Sequence, residues 1–314
     1  MTLFLSTLNQ MGFLLTLMIA GFVVVKVKAV PDNCNQVLSK LENNILIPAL
    51  VMGTFMTKLT PEGIHASGQY FLAGMVLVCL CVPVAILLGR CFSKDAYLRG
   101  IYTYGLAFSN FGFMGNAVVL ALFEDVFLNY LVFVLPFWAA IYIWGVPFLL
   151  MPATEKKRSI WQWVKPFVNP MFIGMAIGVV LGLTPLSLPS FVSKAVTTLG
   201  DCMSPVAMLL TGMTIAKIDL KKAFSNVPVY LASLVRLVVL PVAAILVLGF
   251  VKLEYGLALC IVCNLAMPLG LSPVVVPAGF GKDTSDAAGM ALISHLLSCI
   301  TIPLVFLLFT HVIA

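Results

Sequence analysis

The chain has 314 residues, of which 61% are hydrophobic and only 10% charged. No soluble domain of this size is built that way, and the composition is that of an all-α, polytopic integral membrane protein. The net charge of +6 does not mark a nucleic-acid binder, because the basic residues lie in short connections between apolar runs.

Ten membrane spans are predicted, at about 3–25, 41–57, 67–89, 100–123, 126–150, 166–184, 195–216, 226–251, 255–281 and 287–312. Each fits a hydrocarbon core of about 30 Å. Span 1 has no basic n-region, and its first lysines, Lys26 and Lys28, follow it. It therefore reads as a span rather than a cleaved signal peptide. Glu42 opens span 2 and reads as interfacial. The longest polar stretch, 153–165, carries Glu155, Lys156, Lys157, Arg158 and Lys165. It reads as a cytoplasmic linker between two five-span halves, 1–152 and 166–314. Connections after odd-numbered spans hold 14 of the 18 basic residues, those after even-numbered spans hold Lys58, Lys194 and Lys252, and Arg236 lies within span 8. The positive-inside rule then places both termini outside the cell membrane.

The halves share landmarks. Pro48 and Pro205 are 157 residues apart, Asn110 and Asn264 are 154 apart, and Pro147 and Pro303 are 156 apart. Five spans is an odd number, so the second copy enters the membrane upside down. This is an inverted repeat, with a site expected near the midplane on its pseudo-two-fold axis.

Spans 4 and 9 are the matched pair that breaks. In span 9, Pro268, Gly270, Pro273 and Pro277 fall within ten positions. Proline removes a backbone donor and clashes with the preceding turn. Ser272 followed by Pro273 reads as an N-cap with proline at the first helical position, which restarts a half-helix. In span 4, Asn110, Gly112, Gly115 and Asn116 interrupt the apolar run. Asn110 lies about 15 Å from the cytoplasmic end of its span and Asn264 about 14 Å from the outer end of its own, so both come near mid-depth. Broken backbone at that depth needs protein or water around it.

These motifs resemble the auxin efflux carrier family, which includes plant auxin exporters and bacterial malonate and malate permeases. The run LENNILIPAL at 41–50 is similar to the family's span-2 signature, and LGDCMSPVAMLLTG at 199–212 to its span-7 signature. NFGFMG at 110–115 is similar to the span-4 break, and 285–308, with Ser294, Ser298 and Pro303, to the last span. The resemblance implies a fold like that of sodium/proton antiporters and bile-acid symporters. Spans 1, 2, 6 and 7 would form a scaffold, and a moving core would contain crossed, broken spans 4 and 9. Plant members carry proline at both crossings, whereas the span-4 break here is built from glycine and asparagine. The long cytoplasmic loop of many plant members is absent, which favours a compact permease.

The expected function is secondary transport of small organic anions, mono- or dicarboxylates, by alternating access. Half-helix N-termini at the breaks would supply N–H groups and a positive dipole end. Asn110, Asn116, Asn264 and Ser272 would add side-chain donors, and Gly112, Gly115 and Gly270 would let a ligand approach the backbone beside Pro268. The bland alternative is that the asparagines only satisfy each other and the freed backbone. Arg236 lies about 15 Å deep in span 8. It either holds the anion or balances a carboxylate, with Asp201 its only acidic candidate in spans 7 to 10. His295 is a proton-relay candidate or a hydrogen-bonding member of the bundle. Gly174, Gly178 and Gly182 line one helix face and suit close packing, within the chain or between protomers of a homodimer. The pair Cys260 and Cys263 lacks the second pair or thioredoxin-like context of a redox or zinc motif. No Walker A sequence is present, so ATP does not drive the process directly, and no cofactor or metal is expected. Sodium, protons or the membrane potential alone are the candidate drivers. A channel or a membrane sensor are the rival readings; an enzyme is disfavoured by the lack of a metal-spaced or acid–base cluster at membrane depth.

Overall fold

The computed structural model describes residues 2–151, 167–218 and 220–313. The expected linker at 153–165 lies outside the described residues. Among the described residues the chain is helical, with no named strand and one isolated β-bridge. Six helices are long and apolar enough to cross a bilayer: Leu3–Lys26, Ala66–Phe92, Glu124–Leu150, Ser190–Ala216, Val227–Phe250 and Ser285–Ile313.

The other four predicted spans take shorter or mixed forms, each for a physical reason. Span 4 divides into Ala96–Ala107 and Phe111–Leu122, and span 9 into Tyr255–Ala266 and Ser272–Ala278, because both leave helical geometry midway. The described part of span 6 is Pro170–Leu183, whose first turn is capped by the Asn169 side chain accepting from the Phe172 N–H at 3.2 Å. Span 2 begins earlier than its hydropathy suggests. Its helix starts at Cys34, passes through a π turn at Glu42–Leu46 and continues to Lys58.

That π turn has a local cause. Pro48 follows it, just as Pro241 follows the π turn Val235–Val239 in span 8. Proline has no N–H to give and its ring crowds the carbonyl four residues back. Widening the preceding turn by one residue relieves both problems without breaking the helix.

Two contacts organise one side of the molecule. Leu3–Lys26 packs along Met203–Ala216, and Ile47–Lys58 along Pro170–Leu183. Both approaches rest on glycine. A Cβ on Gly21 would collide with the Leu209 carbonyl oxygen, and one on Gly178 would come within 2.6 Å of that of Met52. Gly174 and Gly182 face the Pro48 and Phe55 carbonyls in the same way. The glycine face of span 6 is therefore occupied inside the chain rather than by a second protomer. On the other side Gly63–Phe92 packs on Ala96–Ala107 and Phe127–Ala140, and Val227–Phe250 on Ser285–Ile313. Leu72, Leu80, Leu87, Val247 and Ile300 project outward, as a lipid-facing surface requires.

Gly178→Leu should overpack the seam with span 2 and destabilise the fold by about 1–3 kcal/mol. Gly12→Leu, where nothing lies within 4 Å of an added Cβ, should be neutral. Thermal unfolding of the two variants in detergent checks this.

Candidate functional site

Span 4 enters as Ala96–Ala107, with the Asp95 carboxylate accepting from the Leu98 N–H at 2.8 Å. It leaves the helix at Phe108, which is extended (φ −122°, ψ 116°). Ser109 then forms an antiparallel bridge with Leu269, and the Asn110 N–H donates to the Pro268 carbonyl at 2.7 Å. The helix resumes through a π turn at Phe111–Gly115, with the Gly115 N–H on the Asn110 carbonyl at 2.9 Å. Span 9 mirrors this. Tyr255–Ala266 ends at Met267, extended at φ −70° and ψ 147°, as a residue before proline prefers. Residues 267–271 are not helical, and Ser272–Ala278 follows with Pro273 in its first turn. The position of the N-cap is Leu271 rather than the expected Ser272, and no side chain caps it. Leu269 is tied further by its N–H, which donates to Ser294 Oγ at 3.1 Å.

Arg236 is the centre of this arrangement. It is 1% exposed, and its three nitrogens donate to three main-chain carbonyls. Nε reaches Met267 at 3.3 Å, Nη1 reaches Leu106 at 3.0 Å and Nη2 reaches Asn264 at 3.0 Å. Those carbonyls end the two half-helices Ala96–Ala107 and Tyr255–Ala266, where no intrahelical donor remains for them. Ser109 Oγ adds a second donor to the Asn264 carbonyl at 2.8 Å.

Polar side chains surround the break. Asn110 Nδ2 lies 3.0 Å from His295 Nε2, while His295 Nδ1 lies 2.7 Å from the Ala291 carbonyl. A carbonyl needs Nδ1 as donor, and the amide N–H needs Nε2 as acceptor, so the ring fits as the neutral Nδ1–H tautomer. Asn264 is fully buried, and neither atom of its amide has a hydrogen-bond partner; the same is true of Asn116 Oδ1. Asn116 lines a cavity of about 20 Å³ with Ile47, Val51, Phe55, Met171 and Met175 on one wall and Leu131, Val134, Leu135 and Trp138 on the other.

Two interrupted helices are thus joined by main-chain contacts beside a buried cation and the unpartnered Asn264 amide. A family model for membrane transport proteins matches residues 6–306. The chain belongs to the auxin efflux carrier family. No curated relative matches it. The carrier is a multi-pass membrane transport protein, of a transport family rather than an enzyme family.

Several expectations about single residues of the carrier change. Asp201 is exposed at the end of Ser190–Asp201 and does not balance Arg236. Among the described residues the only ion pair is Lys58 with Glu124. Gly112 and Gly115 do not open space for a ligand, because their missing side chains are replaced by span 5. A Cβ on Gly112 would come within 2.7 Å of the Trp138 ring, and one on Gly115 would collide with the Tyr130 hydroxyl. Gly270 alone leaves ordinary room, 3.5 Å from the Ser109 carbonyl. Ser272 lies beside the Tyr104 hydroxyl. Glu42 is not interfacial; it is fully buried, with neither carboxylate oxygen partnered. Cys260 and Cys263 are buried free thiols. Ser109 and Ser294 were legible only as small polar residues in apolar runs, and the three carbonyls on Arg236 have no residue-type signature.

Arg236→Met should leave the buried Met267 and Leu106 carbonyls without their donor, each costing about 1–3 kcal/mol, while Asn264 keeps Ser109, and should prevent accumulation of folded carrier. Arg236→Lys keeps the charge but not the fork; it should fold with a lowered melting temperature. Size-exclusion and thermal unfolding measurements on membrane extracts separate the two.

Proposed function

We propose that the carrier moves small organic anions, mono- or dicarboxylates of the malonate and malate type, by alternating access, with the anion held where broken spans 4 and 9 cross. The observation that carries this reading is the division of labour at the breaks. Arg236 takes the two half-helix C-termini, which leaves the N-terminus of Phe111–Leu122 as a positive end without a fixed anion. The Asn264 amide and Asn116 Oδ1 are polar groups unused by the fold. Asn110 is held in place by His295. Pro268, Gly270 and Ser272 shape the opposite wall, while Gly112 and Gly115 set the packing behind it.

A moving core and a fixed frame are supported by the seam at Asn116. One wall of its cavity comes from spans 2 and 6, the other from spans 4 and 5. At about 20 Å³ it has room for no more than a water, so the seam is closed in this conformation and must part to admit a carboxylate. The inverted repeat of 1–152 and 166–314, joined by a cytoplasmic linker at 153–165, has support of its own. Gly21 packs on Leu209 and Gly178 on Met52; each pair becomes the other when its members are exchanged across an offset of 157 residues, that of Pro48 and Pro205. With ten spans in that arrangement both termini lie on one side of the membrane, and the basic residues of the connections favour the outside for it.

The test is uptake of labelled malonate, malate, lactate and indole-acetate into proteoliposomes, with and without sodium and proton gradients. A hydrogen bond to a charged ligand contributes about 1.5–3 kcal/mol, so Asn110→Ala and Asn264→Ala should each weaken apparent affinity about tenfold or more at unchanged protein level. Undiminished uptake in both variants would place the site elsewhere.

A further inference from the structure

We propose that Glu42 is a proton-binding site of the carrier, and that anion and proton move together. The inference rests on the transport reading above but is carried by a residue outside the crossing. The helix of span 2 begins at Cys34, so Glu42 stands eight residues along it, about 12 Å from its start. It is 0% exposed, and neither Oε1 nor Oε2 has a hydrogen-bond partner. The π turn that contains it is explained by Pro48; the carboxyl group has no partner among the described residues.

The elements packed on Glu42–Leu46 are its own helix on either side, Pro170–Leu183, Ser190–Asp201 and Met203–Ala216. Their charged and titratable groups are few. On its own helix Cys34 lies at the start, Lys40 is exposed, and Lys58 is paired with Glu124 at 2.9 Å. Lys194 and Asp201 on Ser190–Asp201 are both exposed, and neither Pro170–Leu183 nor Met203–Ala216 carries a charged residue. Among the described residues, therefore, no cation meets the carboxyl. An ionised carboxylate buried alone at this depth is far costlier than the neutral acid, so in this conformation Glu42 holds its proton.

The position links that proton to the anion. Met203–Ala216 touches the Glu42 turn and also touches Phe111–Gly115, the turn that opens span 4 at the break. Glu42 is thus one helix away from the crossing. Ionised, it would repel an anion there; protonated, it would not. Binding of the proton and of the anion therefore favour each other, and by linkage each raises the affinity for the other. When a change of conformation lets water reach the turn, the carboxyl O–H bond breaks and the proton passes to water on that side. The carboxylate takes its next proton from water on the other. Nothing else is consumed.

Two measurements test this on the full-length carrier. In infrared difference spectra at neutral pH, the wild type should show the carbonyl stretch of a dry protonated carboxyl, lost in Glu42→Gln; its absence from the wild type overturns the proton site. In proteoliposomes, an inward proton gradient should drive uptake of labelled malonate by the wild type, while Glu42→Gln loses the driven component and keeps malonate–malonate exchange. Equal acceleration of both proteins by the gradient overturns the coupling. If malonate and the other anions do not move at all, the transport reading fails, and the infrared band still decides whether Glu42 binds a proton. Glu42→Leu replaces the glutamine variant in both measurements if the latter does not fold.

Discussion

A single buried guanidinium holds the centre of this carrier together. Two helices that stop midway each present a C-terminus carrying roughly half a negative charge. Together they amount to about one unit, which matches the single positive charge of Arg236. The residue is buried without a carboxylate, an arrangement that would be prohibitive if the main chain did not supply the counter-charge. The geometry is specific to arginine, because three nitrogens in one plane reach Met267, Leu106 and Asn264 at once.

With that neutralisation in place, the remaining parts have defined tasks. The bridge between Ser109 and Leu269 and the bond from Asn110 to Pro268 fix the two interruptions at one depth. His295 orients Asn110, and Ser294 fixes Leu269. Glycines elsewhere set the distance between helices, Gly21 and Gly212 between spans 1 and 7, and Gly174, Gly178 and Gly182 between spans 2 and 6. In a bilayer, where burial of apolar surface gives helices no preference for each other over lipid, such close backbone contact is what holds them together.

Much of this was readable from the residues. Proline deletes a donor wherever it stands, so Pro268 and Pro273 announced the span-9 break, and paired glycines and asparagines announced its partner in span 4. What could not be read depends on partners that leave no trace in residue type. Arg236 binds carbonyls, which every residue has. Gly112 and Gly115 signal close approach but not that Trp138 and Tyr130 make it. Asp201 was the only acidic candidate in spans 7 to 10, yet position along separate helices says nothing about facing. Glu42 was misplaced because hydropathy marks where apolar residues begin, while the amphipathic turns from Cys34 to Leu41 extend the helix further.

The connections around Arg236 also constrain the order in which the chain can settle. The Leu106 carbonyl and the Asn110 amide emerge early in synthesis, but the groups that satisfy them, Arg236 and Pro268, follow 130 and 158 residues later. Until then those two backbone groups of the first interruption lack their lasting partners. The carrier's centre is therefore among the last regions to close, and an early truncation product would keep its span-4 gap open to water, lipid or a chaperone.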